Sequence, residues 1–229
     1  MSIIGRPRTP GILLPSRQMG TPGTRLSVGG WPGPVFSTVN YKGSNYSTTC
    51  RIYVPSAHED GDLLVAFLGT TVTTSTITAP AGWTQIQFGN GSFPAMGAWY
   101  RVANSEPSYY DFTRDGAVNN FPGMIMLFTG ASGIDGSSAV AYLASGGLMV
   151  ASGITTTQDF DLLLALYGDG NDVKTWPAGW EQIAAVSSTG NIVLYVIAKQ
   201  FEKAGPTGDI TSNKQYSGAS GSMLLAIKP

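Results

Sequence analysis

Few residues of this chain could do chemistry, and their spacing favours none of the usual reactions. His58 is the only histidine, so a Ser-His-Asp arrangement would have to use it. It stands in His58-Glu59-Asp60-Gly61-Asp62, a hydrophilic connection ahead of an apolar run, which reads as a solvated turn rather than a catalytic base. Gly218-Ala219-Ser220-Gly221-Ser222 lacks the last glycine of a nucleophile elbow and its strand-to-helix setting. No glycine-rich phosphate loop opens a helix, because no segment keeps a 3.6-residue apolar period. One histidine and one cysteine exclude the usual zinc sets. Asp169-Gly170-Asn171-Asp172 lacks most of a calcium loop and reads as a hairpin turn. Glycoside hydrolysis needs two carboxylates flanking a bond. Glu106, Asp111 and Asp115 sit in or beside turns, and spacing singles out no pair. The expectation is a protein that is not an enzyme and holds neither cofactor nor metal.

The elements that position these residues repeat. Pro80-Ala81-Gly82-Trp83-Thr84-Gln85-Ile86 returns as Pro177-Ala178-Gly179-Trp180-Glu181-Gln182-Ile183. Asp62 to Phe67 is answered by Asp161 to Leu166, Tyr100 to Ala103 by Tyr195 to Ala198, and Met124 to Phe128 by Met223 to Ile227. The four blocks keep one order, at offsets of 99, 97, 95 and 99 residues, which indicates a duplicated β unit. Leu63 to Phe67 is apolar throughout, as in a strand buried on both faces. After Trp83, Ile86 and Phe88 are expected inward, with Gln85 and Gln87 outward. In Pro-Ala-Gly-Trp, proline ends a strand, glycine permits a tight turn, and Trp83 or Trp180 folds over the sandwich end. Pro80, Gly82, Trp83, Pro177, Gly179 and Trp180 thus form a structural repeat motif. Trp31, Trp99 and Trp176, which no repeat explains, are better candidates for holding a ligand.

Two copies of four or five strands predict an all-β fold, a two-sheet antiparallel sandwich, jelly-roll-like, whose halves share a core. The repeat halves run over about 61–130 and 160–229, within a body of 36–229. Ahead of it, residues 1–35 hold six of the 14 prolines and seven glycines. Such a stretch is neither helix nor central strand, and is expected to be an extended arm.

Composition supports a real core, with 42% apolar residues in a chain of 229. Only 12% are charged, so the polar surface is mostly uncharged. Cys50 alternates with Ile52 and Val54 and reads as a small core residue. No apolar run approaches the ~20 residues of a membrane span, and no secretory signal is visible. The net charge of −1 hides a segregation: residues 1–58 carry six cations and no acid, and the remainder carries all 14 acids with seven cations. A basic front on an acidic body points to an anionic partner surface. Six charges over 58 residues are sparse for a nucleic-acid arm, which favours protein.

Gly61 to Ala66, Pro80-Ala81-Gly82-Trp83-Thr84, Trp99 to Ala103, Gly130-Ala131-Ser132 and the ending Met223 to Pro229 together resemble β-sandwich structural proteins of tailed-bacteriophage virions. The resemblance covers about residues 45–229. It implies a virion protein, most like a capsid decoration (cement) protein on the capsid exterior. Such a protein would be a trimer or dimer and would bind the major capsid protein or another virion protein. Arg6, Arg8, Arg17 and Arg25 would then pair with partner carboxylates, while Ile12, Leu13 and Leu14 bury apolar area. The alternative is a tail, baseplate or head-fibre module binding host surface glycan, with Tyr109, Tyr110 or Trp176 stacking on sugar rings.

Overall fold

A computed structural model describes residues 31–43, 47–116, 119–144, 147–170, 174–188, 192–214 and 218–229. These residues form strands and no helix, so no helix among them is long and apolar enough to cross a membrane. The first half holds β1 (Val35–Lys42), β2 (Thr49–Tyr53), β3 (Leu63–Thr70), β4 (Ile77–Thr78), β5 (Thr84–Gly89), β6 (Ala95–Val102), β7 (Tyr109–Arg114) and β8 (Gly123–Thr129). The second holds β9 (Gly133–Ser137), β10 (Ala141–Leu143), β11 (Gly147–Ala151), β12 (Asp161–Asp169), β13 (Lys174–Thr175), β14 (Glu181–Ser188), β15 (Ile192–Phe201), β16 (Ile210–Lys214) and β17 (Ser220–Lys228).

All pairings are antiparallel, and they build four sheets rather than the two expected from sequence. One five-stranded sheet runs β1, β8, β3, β6, β5; a three-stranded sheet runs β2, β7, β4. In the second half a six-stranded sheet runs β10, β17, β12, β15, β14, with β9 also on β17, and a three-stranded sheet runs β11, β16, β13. The orders match strand for strand at an offset of nine, with β9 and β10 together standing where β1 stands. Each half therefore has enough strands to cover one large sheet with a small one. Pooling the strands of both halves into only two sheets hid this in the sequence reading.

The layering explains the apolar runs. Leu63, Val65 and Phe67 of β3 enter a central core that also takes Leu162, Leu164 and Leu166 of β12. The opposite face of β3, Leu64, Ala66 and Leu68, enters an outer core with Cys50, Ile52 and Phe112 of the small sheet. In the second half, Ala165 and Tyr167 of β12 meet Met149, Ala151 and Ile210. Strands with cores on both sides lose the in-out alternation of a half-wet sheet. Cys50 is fully buried, and burial pushes its thiol up to about 12, as a core residue requires.

The two large sheets face each other with matching contacts. A Cβ on Gly69 would lie 2.9 Å from Leu194, and one on Gly168 would lie 2.9 Å from Pro94 and 3.4 Å from Met96. Gly69 and Gly168 hold equivalent places in β3 and β12, and Met96 and Leu194 in β6 and β15. The contact thus has the reciprocal form of a two-fold interface, here within one chain.

Registers correct two details of the sequence reading. Thr84 pairs with Tyr100 and Gln85 with Trp99, while Glu181 pairs with Ala198 and Gln182 with Ile197. Tyr100 thus answers to Ala198, an offset of 98 rather than the 95 suggested by matching tyrosines. Both β5 and β14 carry a bulge at the same place, between Gln85 and Gln87 and between Gln182 and Ala184. An extra residue shifts the in-out phase. Ile86 accordingly packs on the central core while Phe88 packs on the outer one, so the two do not share an inward face.

Candidate functional site

The repeated turns are built alike. Trp83 N–H donates to Pro80 O at 3.4 Å, and Trp180 N–H donates to Pro177 O at 3.1 Å. Gly82 and Gly179 have φ of 85° and 80°, the left-handed third position of a type II turn, where a side chain is strained. Each turn delivers its indole to an outer core. Trp83 meets Tyr110 and Phe112 edge-on, both at 5.3 Å between centroids, and Trp180 packs against the Tyr167 core. Trp83 and Trp180 each pack against a core that lies between a large sheet and a small one.

A cation lies against each turn: Arg101 beside Gly82 and Lys199 beside Gly179. Arg101 has the more elaborate surroundings. Its Nη2 sits 2.8 Å from Glu106 Oε1, and the Glu106 side chain is wholly buried. Glu106 also accepts the Tyr110 hydroxyl at 2.6 Å and the Asn104 N–H at 2.9 Å. Burial, followed by this bond to Glu106, raises the Tyr110 phenol above its ordinary range. The cluster pins the β6–β7 connection.

Asp135 and Asp161 form a second carboxyl cluster. Asp161 is fully buried at the start of β12. Burial, then the charge and hydrogen bond of Asp135, raise it to about 7, with Lys228 opposing. Burial also acts to raise Asp135, but hydrogen bonds from Thr157 and others hold it below the ordinary carboxylate range. Carboxyls that influence each other in this way titrate as a coupled pair.

The outer face of the β2–β7 ladder is the polar counterpart of these clusters. Arg51 Nε and Nη2 donate to the two oxygens of Asp111 at 2.8 and 2.7 Å, a bidentate fork. The hydrogen bond from Arg51 holds the Asp111 carboxyl below its usual range. The Arg51 guanidinium lies 3.9 Å over the Tyr109 ring, and Tyr53 meets Tyr109 edge-on at 6.0 Å. Tyr53 is 62% exposed and Tyr109 37%.

Of the residues singled out from sequence, Arg6, Arg8, Ile12, Leu13, Leu14, Arg17 and Arg25 lie outside the described residues. Trp31 does not: it meets Phe160 edge-on at 5.6 Å and donates Nε1–H to Pro34 O, so the last residues of the expected arm are packed on the body. Two ligand candidates are corrected. Trp99 is 2% exposed and Tyr110 8%, because both sit on the face of β6 or β7 that closes the outer core. Trp176 is held between Tyr167 and Tyr195, with its Nε1–H on Gln182. Tyr109 does reach solvent. Tyr53 and Arg51 were missed and Asp111 was weighed only as a hydrolytic carboxylate, although the inward set Cys50, Ile52 and Val54 already turns Arg51 and Tyr53 outward.

His58 donates Nδ1–H to the carbonyl of Pro55, 2.7 Å away within its own turn. Among the described residues no three metal-binding side chains come together. Hollows of about 250 Å³ beside Tyr142, Leu148 and Ser220 and about 360 Å³ beside Thr71, Phe93 and Asn119 lie among the described residues. Neither gathers an acid, a base and a nucleophile. Comparison of the chain with protein-family models, with curated proteins and with solved structures finds no match in any of the three.

Proposed function

We propose that this chain is a structural protein of a tailed-bacteriophage virion, and within the virion a capsid decoration protein that binds the head exterior through its N-terminal segment. The observation that carries this reading is the charge segregation. Residues 1–30 hold Arg6, Arg8, Arg17 and Arg25 and no acid, ahead of a body with every carboxylate. A segment of this kind is suited to lie over an acidic protein surface, with Ile12, Leu13 and Leu14 supplying apolar burial. A body with few charges, extensive buried sheet and no catalytic constellation among its described residues suits a mechanical role.

The fold is consistent with this reading at a finer level. The order β1-β8-β3-β6 opposite β2-β7-β4 supports reading each half as a jelly roll. The matching strand orders, bulges and turns support an internal duplication. Two sandwiches joined through a pseudo-two-fold core offer a broad, rigid block, which a dimer or trimer would spread over neighbouring capsid subunits. A tail, baseplate or head-fibre position is the second reading, favoured by the exposed tyrosines of the β2–β7 ladder.

Immunogold labelling of intact virions that carry this chain tests the placement. Gold over the heads is expected. Gold confined to the tail or to fibres selects the second reading, and its absence from particles overturns both.

A further inference from the structure

We propose that the outer face of the β2–β7 ladder is a binding site for a neutral saccharide, centred on Tyr53 with Arg51, Tyr109 and Asp111. This goes beyond particle attachment and holds wherever in a virion the chain sits.

Three cross-strand pairs form the platform: Tyr53 with Tyr109, Arg51 with Asp111, and Thr49 with Thr113. They lie two residues apart along each strand, so the row spans about 13 Å at strand spacing. Tyr53, 62% exposed and in edge contact with Tyr109, offers open ring surface. The electron-rich face of a phenol attracts the C–H face of a sugar ring. Next along the row stands the guanidinium-carboxylate fork. Its two bonds use two of the five guanidinium N–H groups and leave lone pairs on the carboxylate. Neighbouring hydroxyls of a sugar are both donors and acceptors, which suits them to that mixed edge. The threonine hydroxyls continue it.

Charge selects the neutral class. Arg51 is already neutralised by Asp111 at 2.7 Å, so a phosphate or sulfate would gain little and would meet the carboxylate. The cluster is also too polar for an apolar protein groove.

The second half supplies an internal control. It keeps the same ladder, with Met149 opposite Ser212 and Val150 opposite Thr211. At the places of Arg51, Tyr53, Tyr109 and Asp111 stand Val150, Ser152, Asp209 and Thr211. Turn, bulge and core recur in both halves; this cluster does not. The second-half ladder pairs without it, so the cluster, worth ~0.2–1 kcal/mol per cross-strand pair, is not required for the sheet to form.

The test is a printed array of neutral oligosaccharides of glucose, galactose, mannose, rhamnose and N-acetylglucosamine, with heparin and single-stranded DNA as anionic controls. The full chain is applied beside Tyr53→Ala, Arg51→Ala and, from the second half, Ser152→Ala. The expected result is binding to at least one neutral glycan. Tyr53→Ala and Arg51→Ala should each weaken it about tenfold or more, and Ser152→Ala should leave it unchanged. Thermal melting should move by less than about 2 °C for all three, as for surface substitutions generally. Binding to no neutral glycan, binding only to the anionic controls, or binding that survives Tyr53→Ala overturns the proposal. Loss of particle attachment is a separate readout and does not bear on it.

Discussion

Replacing Phe67 by alanine tests whether the two halves are one cooperative body. Phe67 is fully buried and belongs to the core between the two large sheets. Phe→Ala in a core costs about 3–5 kcal/mol in lost transfer energy and cavity. For a chain of this size each kcal/mol lowers Tm by roughly 2–4 °C, so the expected fall is about 6–20 °C. Phe112→Ala is the control, because Phe112 is equally buried but lies in the outer core of the first half. Calorimetry should give a single transition for the parent and for both variants. Hydrogen exchange should then place the effect. With Phe67→Ala, amides of β12 in the second half should lose protection together with those of β3. Two separated transitions, with only the first shifted and β12 protection unchanged, would refute the shared core and make the halves independent domains.

Other perturbations address the two carboxyl clusters. Glu106→Gln leaves Arg101 facing a neutral amide and should destabilise by about 2–4 kcal/mol; a urea-melt change below about 0.5 kcal/mol would show the pair to be solvent-screened. Asp161, raised to about 7 in the folded protein from an ordinary 3.8, contributes stability that is full below about pH 4 and is lost as pH rises through about 7. Asp161→Asn should therefore flatten the decline in Tm between pH 5 and 8 and leave the variant the more stable at pH 8, by the order of 1–2 kcal/mol. An unchanged decline would assign it to another group. Asp135, lowered by its Thr157 contacts, acts in the opposite sense, losing its contribution as pH falls through the acid range below about 4.

The repeat was legible because turn chemistry is local. Proline, a glycine at positive φ and an indole three residues on describe Pro80 to Trp83 whichever strand comes next. Strand burial on both faces was likewise written in Leu63 to Phe67. What sequence could not supply was pairing. The bulges after Gln85 and Gln182 reverse the in-out phase of Phe88 and move the true partner of Tyr100 to Ala198, and no residue type announces an extra residue in a ladder. The number of sheets depends on the same information, since short strands such as Ile77–Thr78 and Lys174–Thr175 carry almost no pattern of their own. Trp99 drew notice as an unrepeated tryptophan, yet its counterpart Ile197 is also a core residue, so the difference is one of volume rather than role. The Tyr53 cluster was half visible in the alternation Cys50 to Val54, but its partners Tyr109 and Asp111 lie more than fifty residues away and needed the register.

Attachment through the N-terminal segment is tested most directly by removing residues 1–30 and leaving Trp31, which packs on Phe160, in place. Intact and shortened chains are sedimented with purified virions lacking this protein, at low and at moderate salt. The account predicts that the shortened chain keeps the parent melting temperature but stays in the supernatant, and that binding of the intact chain weakens as salt rises. A shortened chain that sediments as well as the intact one would contradict it and move the contact to a face of the body.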